Sequence, residues 1–197
     1  MMKDMYHLIL AGQIMLVICC VFYSVWWSIS YRPGVSVNRA GGLNGLLLLI
    51  TAVCGVSGLA ASIYGINAEP EAGTLAEQTA KMNGLAIAIA GIAAYIVLLI
   101  ITKLIFHRVV TTELLLIVGW AVLELYVINA LNASSKLSDP RFYVMLAVIA
   151  AAFIISMILY VLYYRMEEMK AFYAAMLPLI TEAVSMTVLV LLMVIKQ

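Results

Sequence analysis

Two glutamates, Glu124 and Glu182, stand inside stretches otherwise apolar enough to cross a lipid bilayer. Gln13, Trp120 and Asn129 lie within such stretches as well. A carboxyl group held in hydrocarbon can relay a proton, coordinate a cation or hydrogen-bond a polar solute, and an amide or an indole can add contacts along the same path. The competing role is structural, in which a neutral acid bonds an Asn, a Gln or a carbonyl and so fastens helices together. In either role the group avoids lipid, because an acidic side chain at the centre of a span costs about 2.5–3.5 kcal/mol on insertion scales.

Glu124 falls near the middle of Thr111–Asn132, TTELLLIVGWAVLELYVINALN. At roughly 100° per residue, Glu113, Ile117, Trp120, Glu124, Ile128 and Asn132 share one side of a helix. Glu182 closes the run Leu177-Pro178-Leu179-Ile180-Thr181-Glu182. Pro178 has no N–H to give Ala174 and its ring crowds that turn, so a kink or a local opening is expected there. Counted from the starts of their own helices at about 1.5 Å per residue, Glu124 lies roughly 20 Å in and Glu182 roughly 15 Å. The two could occupy successive depths of one path. No Lys, Arg or His within the spans can pair with them, since Lys103 sits at a helix end and can snorkel to the interface. Each carboxyl therefore carries a proton, meets water or a solute, or bonds a neighbour.

The elements that must position these groups are six apolar segments, about 7–30, 43–66, 84–106, 111–131, 142–164 and 172–195. Each reaches the ~20 residues needed to cross a ~30 Å hydrocarbon core. The 197-residue chain is 66% hydrophobic and 11% charged, with a mean hydropathy of +1.12. Soluble domains run at about 45–50% apolar and 25% charged, so the fold class is all-α, a single integral membrane bundle of six transmembrane helices. The first segment shows no small-residue cleavage site behind it and is expected to be retained. Inner or plasma membrane is the expected location. Six spans place both termini on one side, and the acidic loop Asn67–Asn83 favours that side being outside. Arg32, Arg39, Lys103, Arg108, Arg165 and Lys170 then face inward, against Lys3, Lys81, Lys136, Arg141 and Lys196 on the other face.

The odd-numbered helices end in Ser30-Tyr31-Arg32, Phe106-His107-Arg108 and Tyr163-Tyr164-Arg165, and Asn44-Gly45-Leu46 echoes Asn83-Gly84-Leu85. Three helical hairpins related by an internal repeat would produce this pattern. So would the ordinary gathering of aromatic and cationic residues at the interface. Further stripes accompany the glutamates. Helix one carries Gln13, Cys20, Ser24 and Trp27, and helix two Asn44, Thr51, Gly55, Gly58 and Ser62. Helix three offers a small face of Gly84, Ala88, Gly91 and Ala94, which suits close helix packing. Ser and Thr can bond their own helix, but Gln13 needs several partners.

Absences narrow the function. The net charge of +1 is scattered without a basic run, which disfavours nucleic acid. The two histidines, His7 and His107, lie at opposite membrane faces in this topology, which removes a bis-His haem or a His-based zinc site within one chain. Cys19, Cys20 and Cys54 sit in apolar spans without a C-x-x-C pattern. Asp4 and Asp139 lie outside the spans, and no H-E-x-x-H or G-x-S-x-G occurs. No resident cofactor or metal and no enzymatic activity are expected.

Six spans in three hairpins, the long loop between helices two and three, and Glu182 in the last helix resemble in outline the proton-gated urea and short-chain amide channel family. That resemblance implies a homo-oligomer with a pore in each protomer and both termini outside, with Glu182 standing for the family's last-helix glutamate. The chain departs from the family in having no Trp in helix five (Phe142–Tyr164) and no histidine in the acidic loop. The Asn-Pro-Ala-Pro-type motif of the similarly built acetate permeases is also missing. The expectation is a channel or transporter for a small polar solute or a proton, with Glu124, Glu182, Gln13, Trp120 and Asn129 along the path. The alternative is a non-transporting subunit or assembly partner of a larger membrane complex.

Overall fold

Within hydrocarbon every backbone N–H and C=O must find its partner inside the chain, so apolar stretches of this length become helices. The computed structural model of the protein describes residues 2–34, 42–68, 82–105, 112–162 and 167–195. Six helices result: α1 (Met2–Ser30), α2 (Gly42–Asn67), α3 (Gly84–Ile100), α4 (Thr112–Ala133), α5 (Asp139–Leu162) and α6 (Glu168–Val194). All six are long and apolar enough to cross a membrane. A π-helical turn, Ile101–Ile105, prolongs α3 and leaves Lys103 exposed. The protein is a multi-pass, all-α membrane bundle. Most of the acidic loop, with Glu69, Glu71 and Glu77, lies outside the described residues, as do Arg39, Lys81, Phe106–Arg108, Tyr163–Arg165 and Lys196.

Consecutive helices pack as hairpins, α1 on α2, α3 on α4 and α5 on α6. Antiparallel contacts fix each pair. Gly12 of α1 meets Gly58 and Ser62 of α2 backbone to backbone: a Cβ added at Gly12 would lie 2.5 Å from Ser62 Oγ and 2.8 Å from the Gly58 carbonyl oxygen. In α3, Gly91 leaves the notch that receives Val122 of α4. Ser156 of α5 donates to the Pro178 carbonyl of α6 at 3.5 Å, a weak bond. The hairpins join through α1 with α6 and α4 with α5. Tyr6 Oη donates to the Met193 carbonyl at 2.6 Å, joining the start of α1 to the end of α6. At the opposite end Trp27 stacks on Phe172, with ring centroids 5.0 Å apart.

Helix α4 also touches α2 and α6 as well as α3 and α5. It is the enclosed helix: 61% of its most apolar window is buried, against 11% for α3 and 22% for α2, so α2 and α3 give most of their surface to lipid. Val56, at 71% exposure, and Leu43, Val53 and Ile92 belong to that lipid face.

Two sequence patterns resolve differently from their appearance. Asn83 caps α3, its side-chain oxygen accepting from Ala86 N at 3.2 Å, whereas Asn44 lies buried as the third residue of α2, within the helix. The Asn-Gly-Leu echo therefore occupies two non-equivalent positions. Helix α6 continues through Pro178 without a break between Glu168 and Val194. Ordinary turn chemistry does hold after α1, where Gly34 takes a φ of +77° behind Pro33, a conformation that suits glycine.

Candidate functional site

The polar residues of α4 divide into two sets. The first is consumed by structure. Asn129 Nδ2 donates to the Met82 carbonyl at 2.7 Å while its Oδ1 accepts from Met82 N at 3.0 Å, so one side chain closes both backbone groups of the residue leading into α3. Tyr126 Oη donates to the Gly84 carbonyl at 2.6 Å. Asn132 Nδ2 donates to the Leu137 carbonyl at 3.0 Å and to Asp139 Oδ1 at 3.2 Å, bracing the turn into α5. Ser and Thr residues elsewhere bond back to their own helices, as Thr51 to Leu47, Thr181 to Leu177 and Thr187 to Ala183 do.

The second set is left open. Glu124 is fully buried at 0% exposure, and neither carboxyl oxygen has a hydrogen-bond partner among the described residues. Gln13 of α1, also at 0% exposure, stands with its side-chain amide in hydrogen-bonding reach of Glu124, at a geometry too long or too bent for a closed bond. Its Nε2 donates instead to Ser62 Oγ of α2 at 3.4 Å, and its Oε1 is unpartnered among the described residues. Trp120, one turn before Glu124, is 92% buried with an unpartnered indole Nε1. On α6, Glu182 is 3% exposed with Oε1 unpartnered, and Ser185, three residues on and on the same face, keeps an unpartnered hydroxyl. Such groups are uncommon: buried polar atoms in folded proteins are overwhelmingly paired, and an unpaired one costs about 1–3 kcal/mol.

Several of these groups lie within electrostatic reach of one another. Glu182 lies within interaction range of Glu113, at the start of α4, and the half-buried Cys20 of α1 lies within range of both Glu182 and Glu124. Tyr23 of α1 is within range of Glu113. Glu113 and Glu124 are about 16 Å apart along α4 at 1.5 Å per residue. These pairwise approaches link Glu113 to Glu182, Glu182 to Cys20, Cys20 to Glu124, and Glu124 to Gln13. Beyond Glu124 the buried polar side chains of α4 and its turn, Asn129 and Ser134, are bonded to backbone, and the surrounding packing is apolar. Tyr6, Ile9, Ile66, Ile128, Leu131, Met186, Leu189 and Met193 close the other half of the bundle.

The five residues marked by the sequence are all buried, yet they do not form one group. Gln13, Trp120, Glu124 and Glu182 present unpartnered polar atoms on α1, α4 and α6, while the amide of Asn129 serves the entrance to α3. Ser185 went unmarked, although its spacing from Glu182 places it on the same face. Among the described residues no group of three or more His, Cys, Asp or Glu side chains could hold a metal ion, and the three cysteines are free. A cavity of about 280 Å³ between α3, α4 and α5, lined by Gly91, Ala94, Val122, Leu146 and Phe153, is almost wholly apolar and offers no chemistry. The chain matches no family model, no curated protein and no solved structure.

Proposed function

We propose that the protein forms a path across the membrane for a small polar solute or a proton, with Glu124 and Glu182 in the path. One observation carries this reading: the fully buried Glu124 at the centre of the enclosed helix keeps both carboxyl oxygens unpartnered among the described residues. A carboxyl retained as glue would be bonded, as the neighbouring Asn129 and Tyr126 are. A channel or carrier instead holds polar groups ready to replace the hydration of what passes. Trp120, one turn away, narrows the approach, and Gln13 supplies an amide oxygen from the facing helix.

Flux in proteoliposomes tests the proposal. Wild-type protein should move a proton or a small polar solute, and Glu124→Gln and Glu124→Ala should reduce that flux at least tenfold. Unchanged flux in both variants at acid, neutral and mildly alkaline pH would remove Glu124 from the path. The outline shared with the urea and short-chain amide channels extends the proposal to a homo-oligomer, which mass measurement of the detergent-solubilised protein can check.

A further inference from the structure

Resting on that reading of the site, we infer that Glu124 and Gln13 form the binding site of a small cation bearing N–H donors, an ammonium or a primary amine, reached from the end of the bundle where α4 begins. The donor–acceptor inventory is unequal. The unpartnered atoms include four acceptor oxygens, Gln13 Oε1, Glu124 Oε1, Glu124 Oε2 and Glu182 Oε1, against two fixed donors, the Trp120 indole N–H and the second amide N–H of Gln13. The hydroxyls of Ser185 and Ser30 can rotate to give or to accept. Gln13 gives one amide N–H to Ser62 at 3.4 Å and keeps the second in reach of Glu124, while its oxygen is left unpartnered among the described residues. A ligand that supplies donors and positive charge satisfies such a set, whereas an anion would meet carboxyl oxygens and be repelled.

The protein brings no cation of its own to the site. Helix α4 contains no Lys, Arg or His between Thr112 and Ala133. On α1 and α6 the described basic side chains are exposed: His7 near the start of α1, and Lys170 in a surface pair with Glu167 at 3.1 Å. A buried acid that no resident charge neutralises must carry a proton or meet an incoming cation. The direction of access follows from the placement of the other polar groups. Glu113 stands in the first turn of α4 with Tyr23 and Glu182 in its range, and Cys20 lies in range of both Glu182 and Glu124, a succession of polar groups from that end to Glu124. The far side is closed by the apolar cluster and by the Tyr6–Met193 and Asn129–Met82 bonds.

The test uses the full chain in detergent with Trp26→Phe and Trp27→Phe, which leaves Trp120 as the only indole. Methylammonium chloride is titrated at constant ionic strength, balanced with tetraethylammonium chloride, and urea and sodium acetate are titrated separately. A saturable change in Trp120 fluorescence is expected with methylammonium alone. It should weaken at least tenfold in Glu124→Gln and in Gln13→Leu and survive in Glu124→Asp, with size-exclusion profiles showing that each variant is folded. Equal responses to urea and methylammonium, or a methylammonium response unaffected by Glu124→Gln, would overturn the cation assignment. Cys20 reports the direction of access in a variant with Cys19→Ala and Cys54→Ala. A charged, membrane-impermeant thiol reagent should label it in only one orientation of sealed vesicles, and methylammonium should slow the labelling. Labelling from both sides, or no labelling, overturns one-sided access. Proteoliposome flux separates the two readings. Methylammonium binding without flux of any species leaves this site standing and removes the transport reading, whereas solute or proton flux without methylammonium binding does the reverse.

Discussion

Asn129 holds Met82 by both arms of its amide, at 2.7 and 3.0 Å, while Glu124, five residues earlier on the same helix, has no hydrogen-bond partner among the described residues. One buried polar side chain is thus spent on architecture and its neighbour is not, and the two should respond oppositely to substitution.

Asn129→Ala removes two hydrogen bonds and orphans the backbone N–H and C=O of Met82. A loss of about 1–3 kcal/mol is expected, read as a lowered unfolding temperature in detergent. Flux measured well below that temperature should stay within about twofold of wild type, a change under roughly 0.5 kcal/mol. Abolished flux in a fully folded Asn129→Ala protein would return this residue to the path.

Glu124→Met replaces an unpartnered buried carboxyl by an apolar side chain of similar length. Stability should hold or rise, by up to about 1–3 kcal/mol, because the orphaned oxygens are removed with little change in volume. Function should be lost in the same variant, the usual trade between a stable interior and a working one. A clear fall in unfolding temperature would identify Glu124 as a fastening group and favour an assembly role over transport.

Glycines along α2 should differ sharply in tolerance. Gly58→Ala sets a Cβ 2.9 Å from the Gly12 carbonyl oxygen, and α1 and α2 must part to admit it, at a cost of about 1–3 kcal/mol. Gly45→Ala meets nothing within 4 Å and should stabilise the helix by about 0.5–1 kcal/mol. Equal unfolding temperatures for the two variants would contradict the close α1–α2 crossing.

Tyr126→Phe and Tyr6→Phe each delete one 2.6 Å bond to a carbonyl, Gly84 for the first and Met193 for the second. Each should cost about 0.5–1.5 kcal/mol, and the double variant should cost their sum to within about 0.5 kcal/mol, since the two bonds share no partner. Strong non-additivity in thermal melts would show that this end of the bundle acts as one coupled unit.

Much of the architecture was legible in the chain. The segments expected at about 7–30, 43–66, 84–106, 111–131, 142–164 and 172–195 correspond to helices Met2–Ser30, Gly42–Asn67, Gly84–Ile105, Thr112–Ala133, Asp139–Leu162 and Glu168–Val194. The boundaries agree closely because a bilayer demands length and apolarity together, and both are properties of the linear sequence. The small face of α3 was readable for a similar reason, and Gly91 leaves the space that Val122 fills, whereas Gly58, read within a polar stripe of α2, proves to be a close contact with Gly12. The Asn-Gly-Leu echo misled because identical triplets can fall on a cap in one helix and inside another.

The fate of each polar residue was not in the sequence. Glu124 and Asn129 lie about 140° apart around α4, and both are equally costly in lipid. Periodicity could establish only that each needs protein around it. Whether a partner waits there depends on how α1, α3 and α6 are rotated and how deep they stand against α4, which is a matter of tertiary packing. That packing set the Met82 backbone opposite Asn129 and the amide of Gln13 beside Glu124, with the Gln13 oxygen left unpartnered among the described residues. The sequence by itself determined six membrane-crossing helices with carboxyls buried among them. Only the fold decided which of those polar groups were tied down by hydrogen bonds and which were left without a partner among the described residues.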